Sequence, residues 1–171
     1  MLRSDQILAT VEMIHKENLD VRTVTMGLNL LDCRGGGIDA TCARVRDKIV
    51  TYAGNFVPTC NTMSRKYGIP VVNKRIAVTP MALVGAGFSR EEFVRLAITL
   101  DEAATAVGVD ILGGFSAQVE KGMTATDREY IASIPAALAA TEKVCASINI
   151  ASTAKGINMD ALAMMGRTVK D

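Results

Sequence analysis

The sequence predicts an α/β fold in which parallel strands alternate with helical crossovers. Extended runs rich in Val, Ile and Thr alternate with amphipathic segments along the whole chain. The connections between these runs are long enough for helices, which parallel strands require. No repeat, low-complexity tract or linker divides the 171 residues. We therefore expect one domain covering residues 1–171.

In the first half of the chain we expect a helix at residues 4–16 and a strand at 21–30. A long helix at 38–66 and a second strand at 71–79 should follow. Ser4 is a candidate cap for the first helix because its hydroxyl can accept a hydrogen bond from a free backbone amide. Gly68 and Pro70 should end the long helix, since proline cannot continue one. A short turn should follow Pro80.

The second half should contain a helix at 90–107, a third strand at 109–115 and another helix at 127–141. A fourth strand at 143–150 and a final helix from Asn158 or Asp160 onward should follow. Ser89 with Glu91 and Glu92 has the capping residue and early acids of a helix start. Pro135 could interrupt or kink its helix because it lacks an amide donor. Either an open doubly wound sheet or part of a barrel accommodates this pattern.

Charge and composition exclude several classes of protein. Nineteen basic and eighteen acidic residues give a net charge of +1, with no basic run and only seven aromatic residues, so we expect no nucleic-acid partner. No segment approaches the roughly 20 apolar residues of a membrane span, and the start lacks a signal peptide, so we expect a cytoplasmic protein. One histidine and four widely separated cysteines indicate free thiols and no metal site.

Four stretches occur in order at residues 25–33, 68–80, 113–117 and 143–159, with the sequences TMGLNLLDC, GIPVVNKRIAVTP, GGFSA and KVCASINIASTAKGINM. Together they resemble the N-terminal portion of uncharacterised protein family 0210, the domain of unknown function 711. The resemblance implies part of an α/β barrel related in architecture to pyruvate formate-lyase and other glycyl-radical enzymes. Because family members are far longer, residues 1–171 would form a single incomplete barrel portion. No glycyl-radical motif is visible, and a shared fold does not transfer that chemistry.

Polar residues near the strands form a candidate ligand site, because ligands of parallel α/β folds bind beyond the carboxyl ends of the strands. Basic side chains there would attract a carboxylate or phosphate, and Asn, Ser and Thr would add directional hydrogen bonds. The candidate ligand-binding residues are Asp32, Arg34, Asn73, Lys74, Arg75, Ser116, Lys121, Asn149, Ser152 and Thr153.

These residues also have structural explanations. Residues 73–75 could be polar interruptions of an apolar strand, one of them pairing with Asp32 or Asp110. The three glycines at 35–37 favour a loop hinge over an anion cradle, because neither GxGxxG nor a P-loop pattern is present. Cys33 and Cys145 are candidate reactive thiols, although small buried hydrophobes are the commoner role of free cysteine.

The sequence thus favours an uncharacterised small-molecule-binding α/β protein, with an enzyme acting on an anionic metabolite as one form of that function. It assigns no cofactor, reaction or catalytic residue. The alternative is a noncatalytic regulatory or assembly protein. Four parallel strands leave apolar surface that 171 residues do not cover, so we expect either a homo-oligomer or a C-terminal half that completes the fold.

Overall fold

The computed structural model describes residues 3–17 and 20–170. Its main sheet has four strands, β1 (Val21–Leu28), β2 (Val71–Val78), β3 (Ile111–Gln118) and β4 (Val144–Asn149). They are hydrogen-bonded in the order β1-β2-β3-β4, and every neighbouring pair is parallel. The predicted α/β fold of parallel βα units is confirmed.

Helices precede, connect and follow these strands. They are α1 (Ser4–His15), a 3-10 turn (Leu31–Cys33), α2 (Gly37–Ala53), α3 (Phe56–Tyr67), α4 (Met81–Val84), α5 (Arg90–Val107), α6 (Ala125–Ala139) and α7 (Met159–Thr168). A two-stranded antiparallel ribbon joins β5 (Ala151–Ser152) to β6 (Gly156–Ile157). Within the described ranges, no helix has both the length and the apolarity to cross a bilayer.

The strand order places the connecting helices on one side of the sheet. Each right-handed crossover to the next strand puts its helix on the same face, and α2 packs against α5, α5 against α6 and α6 against α7. The order has no switch point, so these four strands are not a doubly wound sheet. They do not close into a barrel either, because β1 and β4 are both edges of the described sheet.

We call the side that meets the helices the covered face. Ile76, Leu112 and Phe115 are at most 1% exposed there and pack with buried residues of α5 and α6. Two aromatic rings of these helices, Phe93 and Tyr130, meet edge to face at 5.4 Å between centroids. Burying one large apolar side chain contributes about 1.5–3 kcal/mol, so this face accounts for much of the stability.

A β-bulge in β3 decides which of its side chains enter the core. The pairing with β4 shifts between Gly113 and Phe115, which leaves Gly114 as the extra residue. Gly114 has φ 115°, and a Cβ there would overlap the carbonyl oxygen of Val78. Glycine is therefore required, and the bulge turns Phe115 into the core while Ser116 points to the opposite side.

Several predicted element boundaries differ from the structure. The single helix at 38–66 is wrong: the chain forms α2 and α3, separated at Gly54 and Asn55. Pro58 lies in the first turn of α3. In a continuous helix the amide of residue 58 would donate to the Gly54 carbonyl oxygen, and proline has no amide hydrogen to do so. Arg3, not Ser4, is the cap of α1. Pro135 lies inside α6, which continues past it to Ala139.

Candidate functional site

The side of the sheet opposite the helices carries the candidate site, and we call it the open face. Because side chains alternate along a strand, the residues between those of the covered face point to this side. It is defined by Val21, Thr23, Thr25, Gly27, Val71, Asn73, Arg75, Ala77, Ile111, Gly113, Ser116, Gln118, Cys145, Ser147 and Asn149. All of these are exposed or half-buried.

Arg75 is the one charged residue of the open face in the described strands. It is in register with Thr25 of β1 on one side and Ile111 of β3 on the other, near the middle of the sheet. Its neighbours on this face are uncharged: Thr25 and the apolar Ile111 at its own register, and Asn73 and Ala77 two residues away along β2. A positive charge therefore lies on a neutral, hydrogen-bonding surface without an acidic residue of these strands to balance it.

The guanidinium of Arg75 has an unsatisfied donor. Its Nε atom is buried and has no hydrogen-bond partner among the described residues. A buried donor left unpaired costs about 1–3 kcal/mol. The two carboxylates suggested by sequence do not reach it: Asp32 pairs with Lys48, and Asp110 accepts from the backbone amide of Lys74 at 2.7 Å. The described structure therefore supplies no internal partner for this donor.

The three consecutive polar residues of β2 do not act together. Lys74 lies on the same side as Ile76, whereas Asn73 and Arg75 lie on the open face. The amide of Asn73 donates to the carbonyl oxygen of Arg22 on β1 at 3.3 Å. All three lie in the middle of β2, at its third to fifth positions, and not at its carboxyl end at Val78.

Asp32 and Arg34 follow β1, as expected for residues at a carboxyl end, but they lie in and after the 3-10 turn. Asp32 accepts two contacts of 2.6 Å from the Lys48 ammonium of α2. This hydrogen bond lowers the pKa of Asp32 and raises the pKa of Lys48. Arg34 is exposed. The structure therefore connects Asp32 to α2 and not to the basic residues of β2.

The remaining predicted site residues lie in three places. Ser116 and Asn149 belong to the open face, and the Asn149 amide lies 3.5 Å from a carboxylate oxygen of Glu120. Lys121 is exposed in the loop after β3. Ser152 is in β5, where its hydroxyl accepts from the Lys155 amide at 3.2 Å, and Thr153 lies in the turn that follows.

The two candidate thiols differ in environment. Cys33 is 3% exposed, and burial, followed by the nearby Asp32 carboxylate, raises the pKa of its thiol. Such a thiol stays protonated near neutral pH, which argues against a role as nucleophile. Cys145 is exposed on the open face, in register with Gly113. In the described part of the chain, no three His, Cys, Asp or Glu side chains come together as metal ligands would.

Arg44 fixes the glycine loop before α2, a role that the sequence did not indicate. Its guanidinium donates to the Cys33 carbonyl oxygen at 2.9 and 3.0 Å and also to that of Gly35. The glycines at 35, 36 and 37 all have positive φ, at 99°, 73° and 80°. Hydrogen bonds from α2 thus hold the loop in place. Its three positions favour glycine because their φ values are positive.

Sequence reasoning missed Thr25, Gln118 and Ser147 as open-face residues. The signal was present, since polar and apolar residues alternate in β1 and β4, and period two separates the faces of a strand. A row of small residues, Gly27, Ala77 and Gly113, was missed as well. Gly27 lacks positive φ and has nothing within 4 Å of an added Cβ, so the local backbone does not require glycine there.

Comparison with known proteins identifies relatives over the whole chain. The family described as Uncharacterised ACR (DUF711) matches residues 12–171. A "UPF0210 protein" of Oleidesulfovibrio alaskensis is 53% identical over 169 residues, which are 99% of this chain and 37% of the relative. Those of Desulforudis audaxviator and Methanococcoides burtonii are 53% and 52% identical over 171 and 170 residues, each covering 38% of the relative. The chain thus corresponds to an N-terminal portion of these proteins and spans under two fifths of their length.

Proposed function

Since the chain belongs to the family described as Uncharacterised ACR (DUF711), we propose a function from its site: the open face binds an anionic small molecule through Arg75. The observation that carries the proposal is the buried, unpartnered Nε of Arg75. An anion would accept from this donor and balance the charge. A guanidinium is suited to this because it stays protonated and presents several donors in one plane.

The neutral side chains around Arg75 would orient the rest of the ligand. Thr25 and Ser116 are in β1 and β3, the strands on either side of β2, and Ser147 is in β4 in register with Ser116; adjacent strands lie about 4.8 Å apart in a sheet. Hydroxyl groups both donate and accept hydrogen bonds, so they accommodate several polar substituents. The open face of the described strands carries neither a carboxylate nor a histidine. We therefore assign ligand binding to this portion of the protein and any acid–base chemistry to residues outside these strands. We place the protein in the cytoplasm.

A metabolite screen with matched variants tests this function. Anionic metabolites should raise the Tm of the wild-type protein, because a ligand that binds only the native state stabilises it. Arg75→Gln should lose the shift. Lys74→Gln removes a positive charge at the next position but on the opposite side of β2, so it should keep the shift. A screen without any anionic hit, or equal loss in both variants, would contradict the proposal.

A second candidate function is assembly, and the edge of the sheet favours it. β4 has no neighbour on its outer side among the described residues, and the unpaired backbone groups of an edge strand can pair with a further strand. Beside it, α6 and α7 form an apolar cleft of about 410 Å³ lined in part by Leu138, Met165 and Val169. The matched relatives contain far more chain than this portion. We propose that a further βα unit of the family-length protein pairs with β4, and that the strands continue into a barrel like that of pyruvate formate-lyase.

Solution behaviour of the isolated 171 residues tests the assembly proposal. Exposed apolar surface at the β4 edge should bind a hydrophobic dye and promote concentration-dependent association in light scattering. Leu138→Glu should reduce both effects, because it places a charge in the cleft. A second copy at this edge would appear as a defined dimer. A monomer that unfolds cooperatively and binds no dye would contradict the proposal.

A further inference from the structure

We infer that the anion bound at Arg75 is the carboxylate of a molecule whose remainder is uncharged and carries hydroxyl or amide groups. This inference rests on the proposed function, and it chooses between the carboxylated and the phosphorylated ligands that a basic site could accept. The choice follows from the number of charges on the open face, from the position of Arg75 along its strand and from the chemistry of its neighbours.

The charge of the open face matches a carboxylate. Arg75 contributes one positive charge, and the other strand residues of this face are neutral; the Glu120 carboxylate approaches the face only at its carboxyl edge, beside Asn149. A carboxylate carries one negative charge and can accept two parallel hydrogen bonds from a guanidinium. A phosphate monoester carries about −1.5 to −2 at pH 7, so one arginine would leave it partly unbalanced. Lys74 cannot supply the second charge because it points to the other side of β2.

Arg75 is also far from the helix ends that commonly bind phosphate. In parallel βα units the helices begin near the carboxyl ends of the strands, and free amides there form phosphate sites. Arg75 precedes the end of β2 by three residues, about 10 Å at roughly 3.3 Å per residue. The first turns of α5 and α6 are in addition occupied by their own capping boxes, which use Glu92 and Asp127.

The neighbours of Arg75 indicate a polar, neutral remainder. Thr25 is directly in register with it on β1, and Asn73 lies two residues earlier on the same strand and face, while the apolar Ile111 is its register partner on β3. Ser116 and Ser147 follow toward the carboxyl ends of β3 and β4. No Phe, Tyr or Trp lies on the open face of the described strands. Hydroxyl and amide groups would therefore find partners there, whereas an aromatic ring would find no stacking surface.

Small residues leave room for such a molecule beside Arg75. Gly27, Ala77 and Gly113 form a row across three strands, next to the arginine. A Cβ added at Gly27 would meet nothing within 4 Å, and one at Gly113 would meet only the Ile76 carbonyl oxygen at 4.0 Å. A ligand could thus lie close to the backbone at this row while its carboxylate reaches Arg75.

The test uses the purified intact gene product and three probes that share a hydroxylated six-carbon chain: D-gluconate, D-glucose 6-phosphate and D-glucose. The Nε–H signal of Arg75 in a ¹⁵N-edited NMR spectrum is the readout. D-gluconate should move this signal downfield and bind at least tenfold more tightly than D-glucose 6-phosphate, and D-glucose should leave it unchanged. Arg75→Lys keeps the charge but loses the planar fork, and should weaken D-gluconate binding about tenfold or more. Lys74→Gln should bind D-gluconate like the wild type.

The outcomes separate this inference from the function on which it rests. Stronger, Arg75-dependent binding of D-glucose 6-phosphate would overturn the carboxylate inference and leave the anion-binding proposal standing. No response of the Nε–H signal to either anion, together with an empty metabolite screen, would overturn both. An Nε–H signal already hydrogen-bonded in the free protein and insensitive to both probes would show that a carboxylate of the protein itself occupies the site, and would also overturn both.

Discussion

The two faces of one sheet differ in what determines their residues. On the covered face, Ile76, Leu112 and Phe115 are at most 1% exposed, and helices surround them. On the open face, Thr25, Ala77 and Ser147 are exposed, although the same strands carry them. Packing within this chain explains the first set and leaves the second unexplained. The difference teaches that contacts among the described residues determine the covered face and not the open face.

The largest expected effect separates adjacent residues of β3. Phe115→Ala should lower the free energy of unfolding by about 3–5 kcal/mol, because it leaves a cavity in the core. Ser116→Ala, one position on but on the open face, should change it by less than about 0.5 kcal/mol. Chemical denaturation of both variants measures the contrast. Similar losses in the two would show that the open face is packed as tightly as the covered one.

Glycines give a second contrast. Gly114→Ala should cost about 1–3 kcal/mol for the backbone at φ 115°, and overlap with the Val78 carbonyl should add to that cost. Gly27→Ala should instead raise the free energy of unfolding by up to about 1 kcal/mol, since strand backbone accepts alanine. The same Gly27 variant should bind anions less well. Equal stability of the two variants would contradict the assigned bulge.

A buried hydroxyl on the helix side offers a smaller effect. The Oη of Tyr130 is buried and has no partner among the described residues, and burial raises the pKa of this phenol. Tyr130→Phe removes an unsatisfied donor while it keeps the aromatic packing, so the free energy of unfolding should rise by up to about 1 kcal/mol. Thermal and urea unfolding measure it. A loss of stability would mean that the hydroxyl has a partner.

The smallest effect concerns pH. The hydrogen bond from Lys48 lowers the pKa of Asp32 from its ordinary value of 3.8. The stabilisation is therefore fully present above the unfolded-state pKa and is lost as the pH falls through the lower, folded-state value. The Tm difference between wild type and Asp32→Asn should be small at pH 7, because the pair is exposed, and should vanish at the acid end. A difference that grows on acidification would contradict this pairing.

Local chemistry made some of these elements predictable. Ser89 is the cap expected at the start of α5, and Glu92, one of the expected early acids, completes a capping box with it only three residues away. Strands and helices alternate as the apolar pattern indicates. The break between α2 and α3 also has local causes in Gly54 and Pro58, but the apolar spacing continues across it and obscured the boundary.

Long-range contacts made the rest inaccessible. Strand order depends on which helices pack together, as α2 and α5 do. The bulge at Gly114 depends on Val78 in the neighbouring strand. Residues 73–75 were grouped because they are adjacent in sequence, whereas the sheet sends Lys74 and Arg75 to opposite sides. Only the paired strands show that Arg75 lacks the partner that Asp32 or Asp110 could have provided.

Unfolding of the Arg75→Met variant of the intact gene product, with and without an anionic hit from the screen, tests the central claim most directly. If Arg75 is held for a ligand, the ligand-free variant should be as stable as the wild type or more so, because it buries no unpaired donor. It should also gain nothing from the anion. A ligand-free variant destabilised by about 3–5 kcal/mol would show that Arg75 pairs with a charge of the protein itself, and would contradict the account.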